Sequence, residues 1–181
     1  MPSIGSASRY AFVLLAALAT SGSCRTAQEH DGATTFRTSS FLLGIPSNAV
    51  VRPTRATDSG LVAGYSISGP GSSFTLFAYE YRLVPAITSR QAARLAHHSD
   101  SIQSAANDWG VPGPVKEDTI AGNEAWGFEP TCGDCTMYRV YLSRGETLVA
   151  FEYVFAEDQQ VVPRQRTLYR RILSSFHWRG A

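Results

Sequence analysis

The sequence predicts an α+β domain, a mainly antiparallel β-sheet flanked by helices. Three observations carry that prediction. From Phe41 onward, short runs rich in aromatic and β-branched residues recur between turn residues. A long stretch of helical periodicity interrupts them at residues 88–109, and a second helical stretch closes the chain. Strands joined as hairpins, with helices between and after them, bury their apolar faces as a sheet with helices packed over it.

Residues 1–23 hold one charge, Arg9, followed by an apolar run from Tyr10 to Ala19 and a small polar segment. These are the three parts of an export signal. The run is too short to span a bilayer, which takes about 20 apolar residues. Cys24 follows the small residues Ser21, Gly22 and Ser23, and the stretch resembles the lipid-attachment box of bacterial lipoproteins. That resemblance implies acylation at Cys24 and anchoring in a membrane of the cell envelope. Ser21 stands where the box usually has Leu, so a soluble periplasmic or secreted chain is the alternative. Residues 25–40, RTAQEHDGATTFRTSS, lack periodicity and read as a flexible tether. The organisation expected is a signal at 1–23, a lipidated N-terminus and tether at 24–40, and a single domain at 41–181.

Within that domain, FLLGI (41–45) reads as a strand stopped by Pro46. LVAGYSIS (61–68) and FTLFAYEYRL (74–83) read as strands joined by a Gly- and Ser-rich turn. In the second, Phe74, Leu76 and Ala78 share one face while Thr75, Phe77, Tyr79 and Tyr81 share the other, which predicts a central strand covered on both sides. Thr88 and Gln91 have the spacing of a capping box. Leu95, Ile102, Ala106 and Trp109 then form a helical stripe expected to face the core, with Gly110 and Pro112 ending the helix. Residues 117–130 carry strand signals interrupted by Gly122. TMYRVYL (136–142) and TLVAFEYVF (147–155) form a hairpin across SRGE. The last helix starts near Pro163, with Leu168, Ile172 and Phe176 as its expected buried edge.

Four of these segments, FLLGIPSNAVV, ITSRQAARLA, TIAGNEAWGF and ILSSFHW, together resemble the PsbP-like family of extrinsic and secreted proteins. The resemblance implies an α/β/α sandwich. It also implies an accessory or binding role, as in extrinsic photosystem subunits, a Ran-binding relative and bacterial lipoproteins without known activity. It brings no catalytic residue set.

Charge removes one class of function. Basic and acidic side chains number 16 and 15, and losing Arg9 with the signal leaves 15 of each, so no long-range attraction to nucleic acid is expected. With Cys24 acylated, Cys132 and Cys135 remain as a pair in an oxidising compartment. Their flanks are strand-like and no helix follows, so the dipole that activates a CxxC thiol is missing. A structural disulfide across Gly133 and Asp134 is the expectation, with a stabilisation of about 2 kcal/mol for so small a loop. A zinc site would need two more ligands. His97 and His98 diverge as helix neighbours, while His30 falls in the tether and His177 near the end, so no metal site is expected.

Motifs for a nucleophile elbow, zinc protease or phosphate loop are absent. The carboxylates Asp100, Glu117, Asp118, Glu124, Glu152 and Asp158 are scattered in sequence and suggest no acid–base pair. Two features suit binding. The aromatic set Phe77, Tyr79, Tyr81, Tyr138, Tyr141, Phe151 and Tyr153 would line an apolar-ligand groove if one sheet face were open, its plainer role being core. Arg164, Arg166, Arg170 and Arg171 would meet anionic lipid or an acidic partner, their plainer role being a solvated helix face.

The function expected is a non-enzymatic, membrane-tethered accessory or partner-binding domain of the bacterial cell envelope. Its partners would be membrane lipid, through acylated Cys24, and an envelope protein, with no cofactor. The alternatives are an envelope thiol-disulfide oxidoreductase using Cys132 and Cys135, or a small apolar-ligand carrier.

Overall fold

Strands at residues 50–53, 61–68, 75–82, 116–120, 123–128, 136–144 and 147–155 build a seven-stranded sheet. The computed structural model describes residues 32–54, 59–70, 74–131, 136–155 and 162–180. Its elements are β1 (Ala33–Arg37), β2 (Phe41–Pro46), β3 (Val50–Pro53), β4 (Leu61–Ser68), β5 (Thr75–Arg82), α1 (Ser89–Asn107), β6 (Lys116–Ile120) and β7 (Asn123–Phe128). They continue with β8 (Thr136–Arg144), β9 (Thr147–Phe155), α2 (Val162–Ser174) and β10 (His177–Trp178). The large sheet has the order β3-β4-β5-β9-β8-β7-β6, and every neighbouring pair is antiparallel. A smaller sheet has the order β1-β2-β10. The fold is α+β, as the sequence predicts.

The register explains the core. Ala78 sits opposite Phe151 and Leu76 opposite Tyr153, so the inner faces of β5 and β9 present one apolar surface. Onto it pack α2 and the small sheet through Phe41, Leu43, Ile172 and Phe176. Phe41 stacks on Phe176 at 5.6 Å, and Phe151 meets both rings edge-on. Each large apolar side chain buried here is worth about 1.5–3 kcal/mol. The opposite face carries α1, which rests on β7 and β8 over a second cluster that includes Ala92, Ala93, Phe128 and Tyr141.

Three expectations need correction. Residues 33–40, read as tether, are folded: β1 pairs along its whole length with β2, and Ser39 and Ser40 both donate hydrogen bonds to buried Glu80. The strand escapes notice because Phe36 alone in it is partly buried. The α1 stripe faces outward rather than inward: Leu95, Ile102 and Trp109 are 63%, 59% and 42% exposed, and Ala106 is exposed too. What α1 buries is Ser89, Ala92, Ala93 and Ser104, small residues that let it lie close to the sheet. Its predicted capping box is present, with Thr88 and Gln91 bonded reciprocally. Finally, α2 buries Gln165, Tyr169, Ile172 and Leu173. Phe176 is buried but lies past the helix end, where the Ser175 hydroxyl takes the Gly44 N–H at 2.7 Å.

The described residues belong to one compact unit, Asp31–Ala181. None of its described helices is long and apolar enough to cross a membrane.

Candidate functional site

Residues four apart on a helix project from the same side, and on α2 this places Arg166 and Arg170 together. They face the β6–β7 hairpin across a cleft of about 420 Å³, lined also by Asp118, Ala121, Tyr138 and Tyr169. The hairpin turn is made by Ala121 and Gly122 at φ 49° and 78°, the all-positive geometry of a type I′ turn. Asn is common at the first position and Ala is not, because a Cβ there is strained by about 1 kcal/mol. Backbone strain of this kind concentrates at functional sites.

On the facing strand, the Tyr138 hydroxyl donates to Asp118 Oδ2 at 3.0 Å, and the Thr119 N–H donates to Oδ1 at 2.7 Å. Burial raises the Tyr138 phenol above its ordinary pKa, and the Asp118 charge raises it further, so it stays a neutral donor. Gly127 makes room for it: a Cβ there would lie 2.8 Å from the Tyr138 hydroxyl and 2.7 Å from the Arg139 carbonyl oxygen. Tyr169 packs against Tyr153 at 4.5 Å and is pushed well above its usual pKa, first by burial and then by Tyr138 and Asp118. Its buried hydroxyl has no hydrogen-bond partner among the described residues. Arg166 stacks over Phe155 at 4.7 Å and reaches Glu129 at 3.5 Å. Arg170 forms no ion pair among the described residues.

A second polar group lies under α1. Arg139 of β8 binds Asp100 at 3.0 Å and Glu152 at 2.7 Å. Burial pushes the adjacent Tyr141 up to about 12, although Arg139 pulls it down. Two of the scattered carboxylates thus meet on one arginine, which fastens α1 to the sheet.

The remaining expected site residues go elsewhere. Cys24, Cys132, Cys135, His30 and Asp158 lie outside the described residues. His97 packs edge-on against Phe128, whereas His98 and His177 are exposed. Among the described residues no three His, Cys, Asp or Glu side chains come together to hold a metal ion. Glu124 accepts from the Trp126 indole at 2.7 Å, and Glu117 is exposed. Arg164 and Arg171 are solvated on α2. The aromatic set does not line one groove, because strand alternation divides it. Tyr138, Phe151 and Tyr153 face α2, Tyr141 is buried beneath α1, and Phe77, Tyr79 and Tyr81 form a half-buried ladder.

No protein-family profile matches the chain, and no curated protein matches it. Solved structures do. The solution structure of cyanobacterial PsbP (CyanoP) from Synechocystis sp. PCC 6803 is 10% identical with a TM-score of 0.60, over 87% of this chain and 98% of that one. The fold is that of PsbP. A Bacteroides thetaiotaomicron protein matches at a TM-score of 0.45 and 10% identity, over 77% of this chain and 45% of its own. A Pseudomonas aeruginosa protein of unknown function matches at 0.38 and 10%, over 79% of this chain and 94% of its own. Within the PsbP-like fold of this chain, the arginine cleft has little signature in the sequence because Asp118, Tyr138 and Tyr169 are far apart in the chain. Its one local signal was the four-residue spacing of Arg166 and Arg170.

Proposed function

We propose that the chain is a non-enzymatic accessory domain of the bacterial cell envelope, tethered through acylated Cys24, that binds a partner protein by the outer face of α1. One observation carries this: a helix of ordinary length holds Leu95 and Ile102 two turns apart on its outer side, both more than half exposed, with Trp109 following. Isolated exposed leucines are ordinary, but an aligned apolar stripe marks an interaction surface. A membrane is the weaker occupant, since interfacial helices surround the apolar stripe with Lys and Arg. Of the two arginines on α1, Arg90 is engaged over the Trp126 ring at 4.7 Å, and a neutral apolar stripe suits a protein groove. The PsbP-like fold and the occupied carboxylates, Asp100 and Glu152 on Arg139 and Asp118 on Tyr138, favour a binding role over catalysis.

The test places a photo-crosslinking residue at Ala106 on the stripe, and at Thr167 of α2 as control, in the full chain in its native membrane. A crosslink from Ala106 to one envelope protein, abolished by L95E with I102E, supports the reading. Absence of such a product, or its persistence in the double variant, overturns it. So would a crosslink to lipid or to a second copy of the chain. Release of Cys24→Ala protein from the membrane fraction checks the tether separately.

A further inference from the structure

We infer that the cleft between α2 and the β6–β7 hairpin is a binding site for a small organic monocarboxylate with an apolar body. The charge balance selects the anion. Arg166 is paired with Glu129, which leaves Arg170 as the cleft's cation without an ion pair among the described residues. A monoanion complements that balance, whereas a phosphate dianion would also meet the Asp118 carboxylate. Asp118 is already satisfied by Tyr138 and the Thr119 N–H, so it does not compete for both arginines. Arg170 has no ion pair among the described residues, and guanidinium groups bind carboxylates through parallel N–H donors.

The second observation is the Tyr169 hydroxyl. Tyr169 lines the cleft and is 4% exposed, yet its hydroxyl finds no partner among the described residues. Buried polar groups are nearly always hydrogen-bonded, and an orphan calls for an explanation. A carboxylate oxygen held by Arg170 would accept from it. The rest of the ligand would lie on Ile120, Phe155 and Leu173, which supply the apolar lining. A volume of about 420 Å³ falls within the range of small-molecule sites, roughly 300–1,000 Å³. None of this depends on α1, so the cleft and the outer stripe are separate sites.

The test titrates full-length protein with butyrate, hexanoate, phenylacetate and indole-3-acetate, and separately with phenylacetamide and inorganic phosphate, following amide shifts by NMR. At least one carboxylate is expected to give saturable shifts at Ala121, Tyr138 and Tyr169, with the amide binding at least tenfold more weakly. R170A, which breaks no ion pair among the described residues, is expected to weaken binding at least tenfold, with partial recovery in R170K. Y169F is expected to weaken it severalfold without lowering Tm. The inference is overturned if no carboxylate gives saturable shifts at the cleft, if the amide binds equally well, or if R170A leaves affinity unchanged. Binding of phosphate in preference to every carboxylate overturns it in favour of a phosphate site.

Discussion

Arg139 on β8 holds Asp100 of α1 across 3.0 Å, with Glu152 of β9 on the same guanidinium. The cluster is mostly buried, so removing the cation leaves two carboxylates facing each other with little solvent between them. R139M is therefore expected to destabilise the protein by about 3 kcal/mol, read as a lower urea midpoint. Adding D100N and E152Q should recover most of that loss. If the triple variant is no more stable than R139M, the loss comes from packing rather than from unpaired charge.

Glu80 sets an acid limit. Burial raises its pKa, but hydrogen bonds from Ser39, Ser40 and Thr38 outweigh burial and hold the carboxyl below its ordinary value. A group depressed in the folded state stabilises above its unfolded pKa, about 4.3 for Glu, and loses that contribution as pH falls through the folded value. E80Q is expected to be about 1–2 kcal/mol less stable at pH 7. The gap between wild type and variant should close as pH falls below about 4. Urea midpoints at successive pH values decide this, and a gap constant down to pH 2 would be incompatible with the assignment.

The strands and the capping box were legible because they depend on local chemistry. Residues 75–81 alternate between partly buried and fully buried side chains, matching the two faces of their sequence, and Thr88 bonds Gln91 within one turn. The side of α1 that packs was not legible. Periodicity located an apolar stripe at Leu95 and Ile102, but the sheet accepts the smaller Ala92 and Ala93 because Tyr141 and Phe128 already supply the bulk. The edge strand β1 was invisible for a related reason: its stability comes from pairing with β2 rather than from its own side chains. The cleft needed the fold, since β6, β8 and α2 bring Asp118, Tyr138 and Arg170 together from separate parts of the chain.

Gly127 governs the position of Tyr138. A methyl group there would sit 2.7 Å from the Arg139 carbonyl oxygen and 2.8 Å from the Tyr138 hydroxyl, and the backbone contact has no flexible side-chain end to yield. G127A is expected to cost about 1–3 kcal/mol by overpacking. It should also break the bond from Tyr138 to Asp118, which would appear as a lower Tyr138 hydroxyl pKa in ultraviolet titration if the phenol reaches solvent. An unchanged urea midpoint would show that the strands separate freely here.

The type I′ turn at Ala121 and Gly122 offers the opposite test, a substitution expected to stabilise. Ala121 occupies φ 49°, where a Cβ is strained, while the Asn123 side chain donates to the Ile120 and Ala121 carbonyl oxygens from the strand that follows. Asn tolerates the left-handed region better than Ala, and Asn-Gly is the strongest pair for this turn. A121N keeps the flanking residues and the register of Ile120 opposite Asn123, so it should add about 0.5–1 kcal/mol to stability, with a Tm rise of a few degrees. Because Ala121 also lines the arginine cleft, stability and carboxylate binding should be measured on the same variant. A gain in Tm with weaker binding would show that the strained alanine serves the cleft, and a loss in Tm would show that the turn is not strained by its Cβ.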